Sequence, residues 1–169
     1  MAKYTLRKTN RTVLIVVEGE TEEAFITHIR KLYYRREMRL SVRIRNAYGH
    51  GPQGIINKLK SVAKTEVFNQ RIAVLDADIP LTAAEASWLR KEEVDSIVSV
   101  PAIEATLLAI LGKPARDATE ACKKELQRHA PGDPTEASYY ERHFPHDKLE
   151  QARGKVPVLE TLITAVSTE

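Results

Sequence analysis

The chain has 169 residues, of which 43% are hydrophobic and 29% are charged, and its formal net charge is +3. These values are typical of one globular domain with its own core, and they argue against a disordered chain. The single cysteine, Cys122, excludes a disulfide within the chain and disfavours a cysteine-based zinc site. The near-neutral charge neither requires nor excludes a nucleic-acid partner, since basic residues can gather on one face.

The N-terminal stretch 1–11 is polar and basic, and no apolar run long enough for a signal peptide or a membrane span is found in the sequence. We therefore expect a cytoplasmic protein with no membrane partner. Seven basic residues lie between positions 30 and 45. A solvated helix face and a nucleic-acid contact explain this local excess equally well.

Strand and helix patterns alternate along the first two thirds of the chain. Four runs rich in β-branched residues predict strands, at 12–17, 40–46, 71–75 and 96–100. The first run is apolar throughout, as in a strand buried on both faces, whereas the second alternates like an edge strand. Helical spacing of apolar residues predicts helices between and after these strands, over about 22–37 and 82–92. Two more helices are predicted, one carrying Ile55, Ile56, Leu59 and Val62 and one opened by Pro101 with Ile103, Leu107, Leu108 and Leu111 on one stripe.

From residue 113 onward the sequence predicts helices alone, with breakers at 131–134 and a last helix over 156–166. Alternating strands and helices favour right-handed βαβ units. We therefore predict an α/β fold with a four-stranded, mainly parallel, Rossmann-like sheet flanked by helices over residues 11–112. A helical C-terminal extension, 113–169, is expected to pack on the same domain.

Acidic side chains follow three of the predicted strands. Glu18 follows the first strand, Asp76 and Asp78 follow the third, and Glu104 begins the helix after the fourth, while Glu22 lies early in the first helix. Ligands of parallel α/β sheets bind outside the carboxyl ends of the strands, so these five acids should converge. Neighbouring carboxylates repel each other unless a cation lies between them, and Mg²⁺ and Mn²⁺ prefer oxygen ligands. A solvated loop or a helix cap is the simpler explanation of an isolated Asp-x-Asp, but the position of these motifs at the ends of buried strands of one sheet favours a metal site.

A second candidate feature follows the second strand. Gly49, His50 and Gly51 form a turn whose backbone N–H groups could cradle a phosphate, with His50 in contact with it. Lys58, on the next helix, could contact a nucleic-acid backbone. A plain turn and a solvated lysine are the simpler alternatives.

The order and spacing of these motifs resemble the signature of Toprim domains. Residues 18–22 (EGETE) after one strand and 76–78 (DAD) after a later one are similar to its Glu-Gly and Asp-x-Asp elements, in the form found in OLD-family nucleases and RloB-like proteins. Residues 99–108 (SVPAIEATLL) resemble a further RloB-like element, and 153–155 (RGK) resemble the OLD-type Lys-Gly-Lys. The resemblance covers about 11–166 and is weakest over 113–150.

The resemblance implies a role for each matching residue. It makes Lys155 the cation that offsets charge on the scissile phosphate. It also implies ligands for one or two Mg²⁺ or Mn²⁺ ions: Glu18, Asp76 and Asp78 at one position, and Glu22 and Glu104 at a second. Glu18 is in addition a candidate general acid or base.

The predicted function is metal-dependent hydrolysis of phosphodiester bonds in DNA or RNA. The resemblance alone implies a defence or mobile-element setting and a separate ATPase as partner. Two alternatives remain open. One is a non-catalytic Toprim subunit that binds metal and nucleic acid, and the other is a phosphatase or nucleotidyl transferase. The sequence contains no nucleotide-binding P-loop motif, which counts against the transferase.

Overall fold

The structure is a computed structural model, and it describes residues 10–168. Residues 1–9, which make up most of the polar N-terminal stretch, lie outside the described residues, as does Glu169 at the end of the C-terminal extension. Strands and helices alternate through the first part of the described chain. They are β1 (Arg11–Val17), α1 (Glu20–Tyr33), β2 (Leu40–Asn46), α2 (Gly51–Ala63), β3 (Gln70–Asp76), α3 (Ala83–Lys91) and β4 (Val94–Ser99).

Five further helices complete the described chain. They are α4 (Ile103–Ile110), α5 (Thr119–His129), α6 (Ala137–His143), α7 (His146–Arg153) and α8 (Pro157–Ser167). Within residues 10–168, no helix combines the length and the apolar character that crossing a membrane requires.

The four strands form one parallel sheet in the order β2-β1-β3-β4. The α/β fold predicted from the sequence, with helices around the sheet and a helical C-terminal region, is confirmed, and all of the pairings are parallel. β2 lies at an edge, as its alternating pattern predicts. Val17 is level with Asn46, and Asp76 is level with Ser99, so neighbouring strands end together along one side of the sheet.

Helices cover both faces of the sheet because successive strand residues point to opposite sides. Val13, Ile15 and Val17 of β1 pack with α1 and with the C-terminal helices, whereas Leu14 and Val16 pack with α2 and α3. The chain leaves β1 toward β2 and later returns past β1 to β3. The carboxyl ends of β1 and β3 therefore flank the point where the winding reverses, which is where α/β sheets bind ligands.

The C-terminal helices pack directly against α1. The Phe25 ring lies 5.5 Å from the Tyr140 ring and 6.2 Å from the Phe144 ring, measured between centroids. The Tyr140 hydroxyl donates a hydrogen bond to the carbonyl oxygen of Thr21 over 3.1 Å. Cys122 is fully buried among these helices, as the small apolar residue that the sequence suggests. This packing brings α5 and α6 beside the first turn of α1.

One predicted boundary is wrong. The apolar pattern extends the first helix to residue 37, but α1 ends at Tyr33. The backbone of Tyr34 is extended (φ −67°, ψ 135°), and residues 36–38 form a separate 3₁₀ turn. The basic residues at 35 and 36 therefore lie in the connection to β2 rather than on the helix.

Candidate metal centre

A cleft of about 370 Å³ opens at the carboxyl edge of β1 and β3. Each acid reaches it from the start or the end of an element, because β1 and β3 end there and α1 and α4 begin there. The structure brings together all five acids considered in the sequence. The acids that line the cleft are Glu18, Glu22, Asp76, Asp78 and Glu104.

Asp76 is the most perturbed of these acids. Its Oδ1 atom is buried and has no hydrogen-bond partner among the described residues. Burial, and to a smaller extent the negative charges of the four other acids, together raise the pKa of Asp76 to about 8. Burial is also the main reason why the pKa values of Glu22 and Glu104 are raised. The ionised forms of these three carboxyl groups are therefore poorly stabilised in the cleft. A bound cation would stabilise them.

The two remaining acids have donors of their own. The Oε1 atom of Glu18 accepts a hydrogen bond from the backbone N–H of Gly51 over 3.2 Å. The Oδ2 atom of Asp78 accepts one from the Thr119 hydroxyl over 2.6 Å. The backbone N–H of Asp78 donates to the carbonyl oxygen of Pro101 over 3.0 Å, which fixes the turn after β3 against the start of the α4 segment.

The carboxylates of the cleft are not yet arranged as an ion site. Across residues 10–168, no three Asp, Glu, His or Cys side chains already surround a common point in a way that would hold a metal ion. The donor chemistry fits Mg²⁺ or Mn²⁺, because all five groups offer carboxylate oxygens. The arrangement does not yet fit. A side chain of Glu18 or Asp78 that turned toward an ion would give up its present hydrogen bond, with a net value of about 1.5 to 3 kcal/mol for a charged acceptor.

The glycine turn cradles Glu18. Four consecutive residues, 48–51, have positive φ angles of 60°, 94°, 68° and 54°. The N–H of Gly49 donates to the backbone carbonyl of Glu18 over 2.9 Å, while the N–H of Gly51 donates to its carboxylate. The predicted phosphate cradle is thus partly occupied by an acid of the protein itself, although Gly49 still lines the cleft. His50 is exposed and stands at the N-cap position of α2.

Two lysines lie outside the cleft. Lys58 is the eighth residue of α2, which places it about 10 Å along the helix from the glycine turn. Lys155 is exposed in the connection between α7 and α8. Its neighbour Arg153 lies 5.9 Å from the centroid of the Tyr33 ring, at the C-terminal end of α1. Since α1 is about 20 Å long, Lys155 lies toward the end of α1 that is remote from the acids.

The structure adds two polar side chains that sequence reasoning missed. Thr119 and Lys123, both from α5, line the cleft. A hydrogen bond to Glu120 is the main cause that raises the pKa of Lys123, and the charges of Glu104 and Asp78 act in the same direction. The only sequence signal was their spacing of four residues on a predicted helix, which puts both on one helix face. Lys123 is thus the cation beside the acids, in the position expected of Lys155.

The close approach of α2 to the glycine turn gives a stability prediction. A Cβ atom on Gly54 would lie 2.1 Å from the carbonyl oxygen of Gly49, so the turn must move. We expect Gly54→Ala to destabilise the fold by roughly 2 to 3 kcal/mol. Gly154→Ala is a matched control, because nothing lies within 4 Å of its Cβ position and its φ of −75° suits alanine. Urea unfolding of the two variants measures the difference, and equal midpoints would contradict the turn geometry.

The chain matches no protein-family model. Comparison with curated proteins and with solved structures gave no significant similarity to this chain. The Toprim resemblance therefore depends on the short motifs and on the site that they form, and the function is argued from the chemistry of the cleft.

Proposed function

We propose that this chain is a Toprim-type enzyme that hydrolyses phosphodiester bonds of DNA or RNA with Mg²⁺ or Mn²⁺. One observation carries the proposal. Five carboxylates from four separate segments line one cleft at the switch point of a parallel sheet, around a buried Asp76 oxygen that has no hydrogen-bond partner in the described chain. A solvated surface loop would leave such acids apart, and a structural ion pair would give Asp76 a partner.

In this proposal the buried acids hold the ion and the rim acids complete its shell. Asp76, Glu22 and Glu104 form the inner group, while Glu18 and Asp78 rotate in from their hydrogen bonds. A Mg²⁺ or Mn²⁺ ion held by these acids would supply an activated water and would neutralise the phosphate charge. In this proposal Glu18 accepts the proton of the attacking water. The oxygen of that water bonds to phosphorus, the bond from phosphorus to the leaving oxygen breaks, and the leaving oxygen takes up a proton.

Cleavage assays test the proposal directly. The purified chain should cut single-stranded or double-stranded DNA or RNA in the presence of Mn²⁺ or Mg²⁺, and should cut nothing in EDTA. The same protein should bind these substrates only weakly in EDTA, because the acids of the cleft repel phosphates. Cleavage that continues at full rate in EDTA, or no cleavage with either ion or with a partner, would contradict the proposal.

Lys123 takes the role first assigned to Lys155. An ammonium group that lines the cleft can offset the charge that develops on the phosphate. We expect Lys123→Met to lower kcat by about 10² to 10³-fold, as for the loss of one charge-stabilising donor. Lys155→Met is the matched control and should stay within about twofold of the unmodified protein. Equal losses in the two variants would argue against this assignment.

A second candidate is a non-catalytic subunit that binds metal and nucleic acid. Two observations favour it: Glu18 and Asp78 are hydrogen-bonded within the chain, and no three acids of residues 10–168 form a ready ion site. In this candidate a partner turns the acids toward the ion. A separate ATPase, acting in the cytoplasm in a defence or mobile-element system, is the partner that the resemblance suggests. Cleavage assays with and without that ATPase separate the two candidates.

A further inference from the structure

A second cavity adjoins the acid cleft on the side of α5 and α6. Its volume is about 390 Å³, within the roughly 300 to 1,000 Å³ of small-ligand sites. It shares Thr21, Glu104 and Lys123 with the acid cleft, so the two spaces are continuous. Most of the residues that line this second cavity belong to the C-terminal extension, and none of them is assigned a role by the Toprim-like motifs except Glu104.

The wall of this cavity contains a tyrosine whose hydroxyl has no hydrogen-bond partner in the described chain. Tyr139 lines the cavity and is only 4% exposed, and its hydroxyl is buried without a hydrogen-bond partner among residues 10–168. The ring is held in place by its neighbours. It packs edge-on against the Tyr140 ring at 5.1 Å between centroids, and a Cβ atom added to Gly132 would lie only 3.2 Å from it. A buried hydroxyl that lacks a partner costs free energy in the folded protein, and a ligand acceptor that pairs with it would recover that cost.

The rest of the lining suits a planar group attached to phosphate. Leu126 and Pro134 provide apolar surface. Gln127 offers a carboxamide, which donates and accepts hydrogen bonds, from the same face of α5 as Lys123 and Lys124. Lys123 lines both spaces and Lys124 lines the second cavity, so their ammonium groups can contact a phosphodiester backbone.

We propose that this cavity binds the base of the nucleotide next to the scissile phosphate, with Gln127 and Tyr139 in contact with the edge of the base. The inference rests on the proposed function, since the phosphate in the acid cleft defines which nucleotide reaches the cavity. It adds a source of sequence preference, which phosphate contacts alone do not provide. Single-stranded or locally opened nucleic acid is the expected substrate, because a base in a duplex cannot leave its stack without cost.

Tyr139→Phe is the sharpest variant, because it removes only an oxygen that has no partner in the free protein. Binding is measured by fluorescence anisotropy in Ca²⁺, with labelled single-stranded hexanucleotides that carry a base or an abasic site at each position in turn. We expect one position at which the base strengthens binding, and at which Tyr139→Phe and Gln127→Ala each weaken binding roughly fivefold. The abasic hexanucleotide should bind equally to all proteins.

Stability measurements provide the control. Tyr139→Phe should not lower the unfolding midpoint, whereas Tyr140→Phe should, since the Tyr140 hydroxyl donates to Thr21, and it should leave the base dependence unchanged. Unchanged base dependence in both Tyr139→Phe and Gln127→Ala would overturn the inference while leaving Mn²⁺-dependent cleavage intact. Base-dependent binding without cleavage in Mn²⁺ would instead keep the inference and reject the proposed enzyme. Absence of any binding to the unmodified protein would reject both.

Discussion

Asp76→Ala should abolish metal-dependent cleavage, lowering kcat/KM by at least about 1,000-fold. Asp76 ends β3 at the centre of the acid cleft, and its buried oxygen is the donor best placed for an ion. Charge stabilisation by a bound ion contributes several kcal/mol to the transition state, and each 1.36 kcal/mol changes the rate tenfold. Glu18→Ala should have an effect of similar size, because Glu18 is both a ligand and the candidate base.

The control for this experiment is Asp147→Ala. The Asp147 side chain is 95% exposed at the start of α7, away from the cleft, and its removal should leave cleavage unchanged. Rates are measured on one defined substrate while Mn²⁺ is titrated up to excess. Excess Mn²⁺ restores the rate if only the ion site is weakened, but not if the base is lost. Wild-type activity in both Asp76→Ala and Glu18→Ala would reject the mechanism.

The second large effect concerns stability in the absence of divalent metal. The pKa of Asp76 is raised from 3.8 to about 8, chiefly by burial, so the folded state holds a proton that the unfolded chain has released. Protonation of Asp76 therefore stabilises the folded state relative to the unfolded chain. This contribution is fully present below about pH 4 and is lost as the pH rises through about 8. Glu22 and Glu104 shift in the same direction. We expect the free energy of unfolding in EDTA to fall by on the order of 5 kcal/mol between pH 4 and pH 9.

Asp76→Asn tests this pH dependence, because asparagine is a neutral residue of nearly the same shape. The variant should lose most of the decline and should be more stable than the unmodified protein at pH 9. Denaturant unfolding in EDTA at pH 5, 7 and 9 gives the comparison, and Asp147→Asn serves as the exposed control. If the free energies of unfolding of the unmodified protein and of Asp76→Asn fell in parallel with rising pH, ionisation of Asp76 would not be the cause of the decline.

The sequence predicted the sheet and the acids because both follow from local pattern plus topology. The apolar run of β1 and the alternation of β2 identify an inner and an edge strand, and the order β2-β1-β3-β4 confirms both positions. Once the strands are parallel, their carboxyl ends share one edge. Glu18 and Asp76 must then be near each other without any knowledge of side-chain contacts.

The errors concern contacts between segments that are distant in the sequence. Lys155 belongs to a short motif, but Arg153 of α7, two residues before it, lies beside Tyr33 at the C-terminal end of α1. Lys123 of α5 lines the cleft with the acids instead. The glycine turn was correctly placed at the sheet edge, yet its N–H groups point to Glu18 rather than outward. Neither the packing of the C-terminal helices nor the direction of an N–H group is encoded in a local pattern.

The most direct test is the anomalous scattering of Mn²⁺ in a crystal soaked with the ion. We expect a manganese peak in the acid cleft, within coordination distance of carboxylate oxygens of Asp76 and of at least two of the four other acids, with Glu18 or Asp78 rotated away from its present hydrogen bond. A peak bound only elsewhere on the protein, with Asp76 still unpartnered and Glu18 still on Gly51, would contradict the proposed metal centre.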